Sequence, residues 1–119
     1  MTNGQRMISR ISTHVLDTTS GRPAAGIPVA LRLVSDVEPD RLIGDGVTDA
    51  DGRIQSLTVE AVEPGSYRFV FDTADYFADA HGTVFYPRIT VETHLDGARS
   101  HYHIPVLASP YSYSTYLGS

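Results

Sequence analysis

Residues 101–117 read His-Tyr-His-Ile-Pro-Val-Leu-Ala-Ser-Pro-Tyr-Ser-Tyr-Ser-Thr-Tyr-Leu, and this stretch decides the fold. Side chains along a β-strand alternate between two faces. One face of 100–108 is therefore apolar and carries Tyr102, Ile104 and Val106, whereas the other carries His101, His103, Pro105 and Leu107. Ser109-Pro110 is a turn signal, and a second alternating segment follows it. The stretch predicts two strands, 100–108 and 111–117, with one face directed to a core.

The rest of the chain also consists of short apolar segments between turns. Turn residues recur at 18–21, 38–40, 48–52, 63–65 and 96–97. This spacing is typical of an all-β sandwich or barrel, and it predicts further strands near 7–17, 26–34, 41–48, 53–59, 66–72 and 88–95. Segment 73–80 differs, because it offers Thr73 as an N-cap, alanines and no Gly or Pro before Gly82. It predicts one short helix.

The first strand has the same two-faced character. Ile11, Thr13 and Val15 share one face, and Ser12, His14 and Leu16 share the other. His14 and His103 therefore lie opposite the more continuous apolar faces. We expect both rings to point out of the sandwich core, toward solvent or a partner chain.

Length and composition restrict the function. The 119 residues predict a single domain over 1–119, and the net charge of −5 argues against nucleic acid or an anionic membrane surface as a partner. All nine basic residues are Arg, so lysine chemistry is excluded, and the lack of Cys excludes disulfides and thiolate catalysis. So short a chain has little room for a deep pocket, and an active site would have to be shared between subunits.

The start of the sequence suggests a location. Met1-Thr2-Asn3-Gly4-Gln5-Arg6 is not followed by the apolar run of a secretory signal. The apolar segments elsewhere are only a few residues long, too short for a transmembrane helix. We expect a cytoplasmic protein.

The five histidines raise the question of a metal site. His101 and His103 share a strand face, but nothing in the sequence supplies a fixed third ligand, so we expect no metal. His81 suits the C-terminus of the predicted helix, and His94 reads as a surface residue before a turn. The segment Asp49-Ala50-Asp51-Gly52 reads as a tight turn and not as a calcium loop, since no helices flank it.

Three segments resemble signatures of the transthyretin-like family. Thr13–Ala24 resembles its opening signature, Thr48–Arg53 its second block and His101–Ser119 its C-terminal block, and Phe85-Tyr86-Pro87 looks like a further landmark. The resemblance covers about Ile8 to Ser119. It implies a two-sheet β-sandwich of about eight strands with one short helix.

The family has an enzyme branch that hydrolyses 5-hydroxyisourate and a carrier branch that binds thyroid hormone. Members of the enzyme branch resemble this chain at His14, Arg53 and His103, where carriers have Lys, Glu and Thr. The enzyme branch also ends in Tyr-Arg-Gly-Ser, and this chain ends in Tyr116-Leu117-Gly118-Ser119. Leu117 departs from the family's Arg, and alternation predicts that it faces away from the channel if Ser112, Ser114 and Tyr116 face into it.

The resemblance implies a hydrolase without metal or cofactor. Its catalytic residues would be His14, Arg53, His103 and Ser119, and Tyr116, Ser114 and Gly118 would bind substrate. It also implies a homotetramer, whose active sites lie in the channel where two dimers meet. Two other readings remain open: a channel-type carrier of small aromatic ligands, and a β-sandwich interaction module without activity.

Overall fold

The computed structural model describes residues 6–119, which form nine strands and one short helix. Residues 1–5, on which the expected lack of a signal segment partly depends, lie outside the described residues. No helix of the described part is long and apolar enough to cross a membrane. The elements are β1 Arg10–Asp17, β2 Arg22–Pro23, β3 Pro28–Leu33, β4 Arg41–Val47, β5 Arg53–Ile54, β6 Gly65–Asp72, α1 Ala74–His81, β7 Arg88–Leu95, β8 His101–Ser109 and β9 Ser112–Thr115.

The strands form two sheets, as predicted. One has the order β2-β1-β8-β9, with β5 also paired to β1, and the other has the order β4-β3-β6-β7. Neighbouring strands are antiparallel except β1 and β8, which run parallel over the whole of β1, from Arg10 beside His101 to Asp17 beside Ala108. The first and last thirds of the chain thus meet at the centre of one sheet.

The core lies between the two sheets and confirms the predicted faces. Ile11 and Val15 of β1 and Ile104 and Val106 of β8 are buried, and they meet an aromatic row from β6. That row is Tyr67, Phe69 and Phe71, each nearly or fully buried. Each large apolar side chain stabilises the fold by about 1.5–3 kcal/mol on burial. The predicted all-β class is therefore confirmed.

Several strands are shorter in the structure than predicted, most of all the one predicted at 53–59. Segment 53–59 pairs with β1 only at Arg53–Ile54. Its next buried residues are Leu57 and Thr58, a spacing that does not follow the period-two alternation of a strand. Beyond Ile54 the regular strand pairing ends, although the Leu57 N–H still donates to the Ile11 carbonyl of β1 (2.8 Å), and Val59 is fully exposed. Segment 111–117 pairs with β8 only over Ser112–Thr115. After Thr115 the regular pairing ends, and the next backbone hydrogen bond to β8 runs from Gly118 to His103.

The predicted helix is present and is tied to the end of β1. The Asp17 carboxylate is buried and accepts hydrogen bonds from Tyr76 Oη (2.7 Å) and His81 Nε2 (2.6 Å) on α1. Burial alone would raise the pKa of Asp17, but these bonds and two from the backbone N–H groups of Ser20 and Thr19 hold it below its usual value. Thr73 is the N-cap residue, but the predicted capping by its side chain is wrong, because its hydroxyl donates to the Tyr86 carbonyl and not to the helix.

Candidate active site

Strand register brings His14, Arg53 and His103 to one outer sheet face. His14 of β1 lies directly opposite Arg53 of β5, and Ser12 of β1 lies beside His103 of β8. Partners in register point to the same side of a sheet, and this side is opposite the core-facing Thr13 and Ile104. Three distant segments of the chain therefore supply one patch of imidazole and guanidinium groups.

A tight turn places Arg53 at this position. The Asp49 carboxylate accepts the backbone N–H groups of Asp51 and Arg53, both at 2.9 Å. Gly52 has a φ of 73°, and a Cβ there would lie 2.5 Å from the Val15 carbonyl oxygen, so only glycine fits against β1. The predicted Asp-x-Asp-Gly turn is confirmed, and its effect is to hold Arg53 beside His14.

The patch borders a concave pocket of about 220 Å³. Residues of β1, β5 and β8 line it, together with Gln55 and Ser119. The strand residues are Arg10, Ser12, Thr13, Arg53, Ile54, His101 and His103. His14 lies next to the pocket through its pairing with Arg53. The pocket is mostly polar and positively charged, which suits a small electron-rich ligand.

The C-terminal tail closes the pocket beside His103. The Gly118 N–H donates to the His103 carbonyl (2.8 Å), and Arg99 Nη1 donates to the Gly118 carbonyl (2.9 Å). A Cβ on Gly118 would lie 2.7 Å from Cδ2 of His103, so glycine permits this close approach. Ser119 is thereby brought to the pocket, as the resemblance implied, although β9 has already ended.

The remaining predicted residues lie elsewhere. Ser114 is exposed on β9, beside Leu107, and does not line the pocket. Tyr116 and Leu117 are both about half exposed and line a separate groove along β7, next to Val91. Leu117 is therefore outside the histidine pocket, but it lines the same groove as Tyr116, so the predicted placement of these two side chains on opposite faces is wrong. Within one chain, the predicted residues that assemble are His14, Arg53, His103, Gly118 and Ser119.

The local environment favours neutral imidazoles. The pKa of His103 lies below its usual value, first because the ring is partly buried and then because of the positive charge of Arg53. The pKa of His14 is also lowered, by burial and then by Arg53, although the backbone and carboxylate of Asp51 partly oppose this. A neutral imidazole near neutral pH can accept a proton from water, and the guanidinium beside it can bind an oxyanion.

Five polar residues of the pocket were not predicted as site residues: Arg10, Ser12, Thr13, Gln55 and His101. Arg10, Ser12 and His101 form a row of hydrogen bonds that ends at His103. The alternation of β1 had already placed Ser12 on the face of His14, but only the parallel pairing of β1 and β8 shows that it touches His103. Within residues 6–119, no three His, Asp or Glu side chains come together in a way that could hold a metal ion.

Comparison with known proteins finds a matching family model and named relatives. Residues 11–118 match the model of the HIUase/Transthyretin family. The 5-hydroxyisourate hydrolase of Salmonella dublin is 44% identical over 110 residues, which cover 92% of this chain and 80% of the relative.

Solved structures give the same result. The 5-hydroxyisourate hydrolase of Klebsiella pneumoniae superposes with a TM-score of 0.82 at 31% identity, over 94% of this chain and all of that one. Transthyretin from Sparus aurata superposes with a TM-score of 0.84 at 29% identity, over 92% of this chain and 97% of that one. The strand order, the matched residues and these similarities lead to one conclusion: the chain belongs to the HIUase/Transthyretin family.

Proposed function

We propose that this protein hydrolyses 5-hydroxyisourate in urate degradation. Water would open the cyclic amide at the N1–C6 bond and give 2-oxo-4-hydroxy-4-carboxy-5-ureidoimidazoline, without metal or cofactor. The observation that carries the proposal is the convergence of His14, Arg53 and His103 on one outer sheet face beside Ser119. The similarity to proteins named 5-hydroxyisourate hydrolase supports the same substrate.

The two histidines supply the proton chemistry. One imidazole removes a proton from the attacking water, and the other orients the water or stabilises charge. Both rings are suited to this because burial and Arg53 lower their pKa values, so that a neutral base is available at neutral pH. As the water oxygen bonds to C6, the C6–N1 bond breaks and the proton taken from water returns to N1.

Arg53 stabilises the oxyanion that develops on the C6 oxygen. Its guanidinium is always charged and presents a planar fork of N–H donors. Its place opposite His14 supports this role, because the charge then lies beside one of the two proposed catalytic histidines. One donor of this kind contributes about 10²–10³ to the rate in other acyl-transfer sites.

The C-terminal tail would position the substrate. Ser119 lines the pocket, and Gly118 holds it there through the bonds to His103 and Arg99. Ser114 and Tyr116 are outside the pocket of their own chain, and we propose that they act in the channel formed when chains assemble.

We further propose a homotetramer with active sites in the channel between its dimers. Strands β7 and β9 are sheet edges with unpaired backbone groups, which favour pairing with another chain. Aromatic residues gather near them, with ring centroids 4.8–5.8 Å apart: Phe85, Tyr111 and Tyr113, which are exposed, and Tyr86, which is half-buried. Such an apolar cluster is typical of an interface. Sedimentation would measure the oligomeric state, and a stable monomer would contradict this assembly.

A channel carrier of aromatic ligands is the second candidate. The transthyretin superposition favours it at the level of the fold. His14, Arg53 and His103 favour the hydrolase, because a carrier has no need of a neutral base beside an oxyanion donor. We also propose a cytoplasmic location, which cell fractionation would test.

Hydrolysis in ¹⁸O-labelled water tests the proposed reaction. We expect one labelled oxygen in the new carboxylate, formed at a rate proportional to protein concentration. His103→Ala and Arg53→Ala should lose most of this rate while the oligomer seen by sedimentation persists. Tight ligand binding without turnover by the unaltered protein would favour the carrier.

A further inference from the structure

A row of four hydrogen-bonded side chains runs across β1 and β8 into the pocket. Arg10 Nη2 lies 3.3 Å from His101 Nδ1, His101 Nε2 lies 2.7 Å from Ser12 Oγ, and Ser12 Oγ lies 2.8 Å from His103 Nδ1. Ser12 is 4% exposed, and both rings are partly buried. The row holds the imidazole that the proposed function uses, and the inference below rests on that function.

The donor and acceptor properties of these side chains fix the direction of each hydrogen bond in the row. A guanidinium has only N–H donors, so His101 Nδ1 must present its lone pair to Arg10. A neutral imidazole carries one proton, which then lies on His101 Nε2 and is donated to Ser12 Oγ. Burial and the charge of Arg10 lower the pKa of His101, which agrees with a neutral ring.

The same reasoning assigns donor and acceptor in the bond between Ser12 and His103. Its oxygen accepts from His101, so its own hydrogen needs an acceptor. Within the described part of the chain, the hydrogen-bond partners of this hydroxyl are the two rings. If His103 Nδ1 also carried a proton, a nearly buried O–H would have no acceptor, and such a group costs about 1–3 kcal/mol. His103 Nδ1 therefore accepts, and its proton lies on Nε2.

We infer that Ser12 and His101, with Arg10 at the outer end, are positioning residues that hold His103 as its Nε2–H tautomer. Ser12 occupies Nδ1, so Nε2 is the nitrogen left to the pocket, where it donates a hydrogen bond. The lone pair of this neutral imidazole is on Nδ1 and is occupied by Ser12, so His103 cannot take the proton from water. Its Nε2–H stabilises the C6 oxyanion together with Arg53, in the way that a neutral histidine polarises a substrate carbonyl in other enzymes. His14 is then the base, which takes the proton from water and returns it to N1.

Nitrogen-15 NMR of the histidine-labelled protein tests this tautomer directly. In the unaltered protein we expect His103 Nδ1 to resonate as a lone-pair nitrogen and Nε2 as a protonated one. Ser12→Ala should give a mixture of tautomers and lower kcat roughly tenfold, the effect of one lost hydrogen bond, with KM changed less than twofold. His101→Phe should lower kcat less, roughly threefold, because the bond from Ser12 to His103 remains.

Two further variants separate positioning from general damage. Ser12→Thr keeps the hydroxyl and should retain the Nε2–H tautomer and most of kcat. Ser9→Ala is the matched control, because the Ser9 hydroxyl donates to the Ser100 carbonyl at 2.9 Å and makes no bond to either ring. Ser9→Ala should change neither the His103 tautomer nor kcat.

The two proposals can fail separately. A protonated Nδ1 on His103 in the unaltered protein, or full kcat in a folded Ser12→Ala variant, would overturn the positioning role. Lack of turnover by the unaltered protein would overturn the proposed function, and the NMR signals of His103 would still decide the tautomer.

Discussion

Replacement of Gly118 by alanine should damage the site more than the fold. The new Cβ would lie 2.7 Å from Cδ2 of His103 and 3.1 Å from its carbonyl oxygen. Carbon atoms in contact are about 3.5–4.0 Å apart, so the ring or the tail must move by roughly 0.8 Å. We expect kcat/KM for 5-hydroxyisourate to fall about 10²-fold, since a displacement of about 1 Å in a catalytic site costs this much.

The structure indicates which part moves. Movement of the ring breaks the bond from Ser12 to His103, a loss of about 1 kcal/mol. Movement of the tail breaks the Gly118–His103 bond and the charged bond from Arg99, a loss of roughly 2.5–4 kcal/mol. The His103 ring should therefore move and the tail should stay in place, so the free energy of unfolding should fall by only about 1 kcal/mol.

Gly21→Ala is the matched control. Gly21 has a φ of 73°, and a Cβ there would meet nothing within 4 Å. The strained backbone should cost about 1 kcal/mol of stability without touching the pocket, so kcat/KM should stay unchanged. Urea unfolding and the absorbance decay of 5-hydroxyisourate measure the two effects. Unchanged kcat/KM in Gly118→Ala would refute the reasoning that the tail positions His103.

Three other changes should have distinct effects. Arg53→Ala should lower kcat about 10²–10³-fold, measured by the same decay, because the oxyanion loses its charged donor. Asp17→Asn should lower the free energy of unfolding by about 1–3 kcal/mol, measured by urea, since the bonds to Tyr76 and His81 lose their buried carboxylate. Stability should fall as pH drops below about 6.5, because His14, His101 and His103 have lowered pKa values in the folded state, so the unfolded chain binds more protons. Thermal melts would measure this, and a Tm that does not change from pH 7.5 to 5 would contradict it.

Strand faces could be predicted from the sequence because alternation is a local property. Ile11, Val15, Ile104 and Val106 are buried, as their two-residue spacing indicated. The same rule placed His14 on the outer face. The rule failed at segment 53–59, where Leu57 is buried three residues after Ile54 and the regular strand pairing has ended.

The contacts that build the pocket could not be predicted in the same way. Ser12 and His103 are separated by 91 positions and meet only because β1 and β8 pair in parallel. No local pattern distinguishes a parallel from an antiparallel neighbour. The tail is a similar case, because Gly118 reaches His103 after β9 has ended, and Arg99 holds it from another loop. Family resemblance identified His103 and Ser119, but their supporting residues required the structure.

The central claim is that this outer-face pocket hydrolyses 5-hydroxyisourate. The most direct test follows the absorbance of freshly generated 5-hydroxyisourate with the unaltered protein, with His103→Ala, and with no protein. We predict that the unaltered protein accelerates the decay in proportion to its concentration, and that His103→Ala returns it close to the spontaneous rate. A decay equal to the spontaneous rate with the unaltered protein, or equal acceleration by the variant, would contradict the claim.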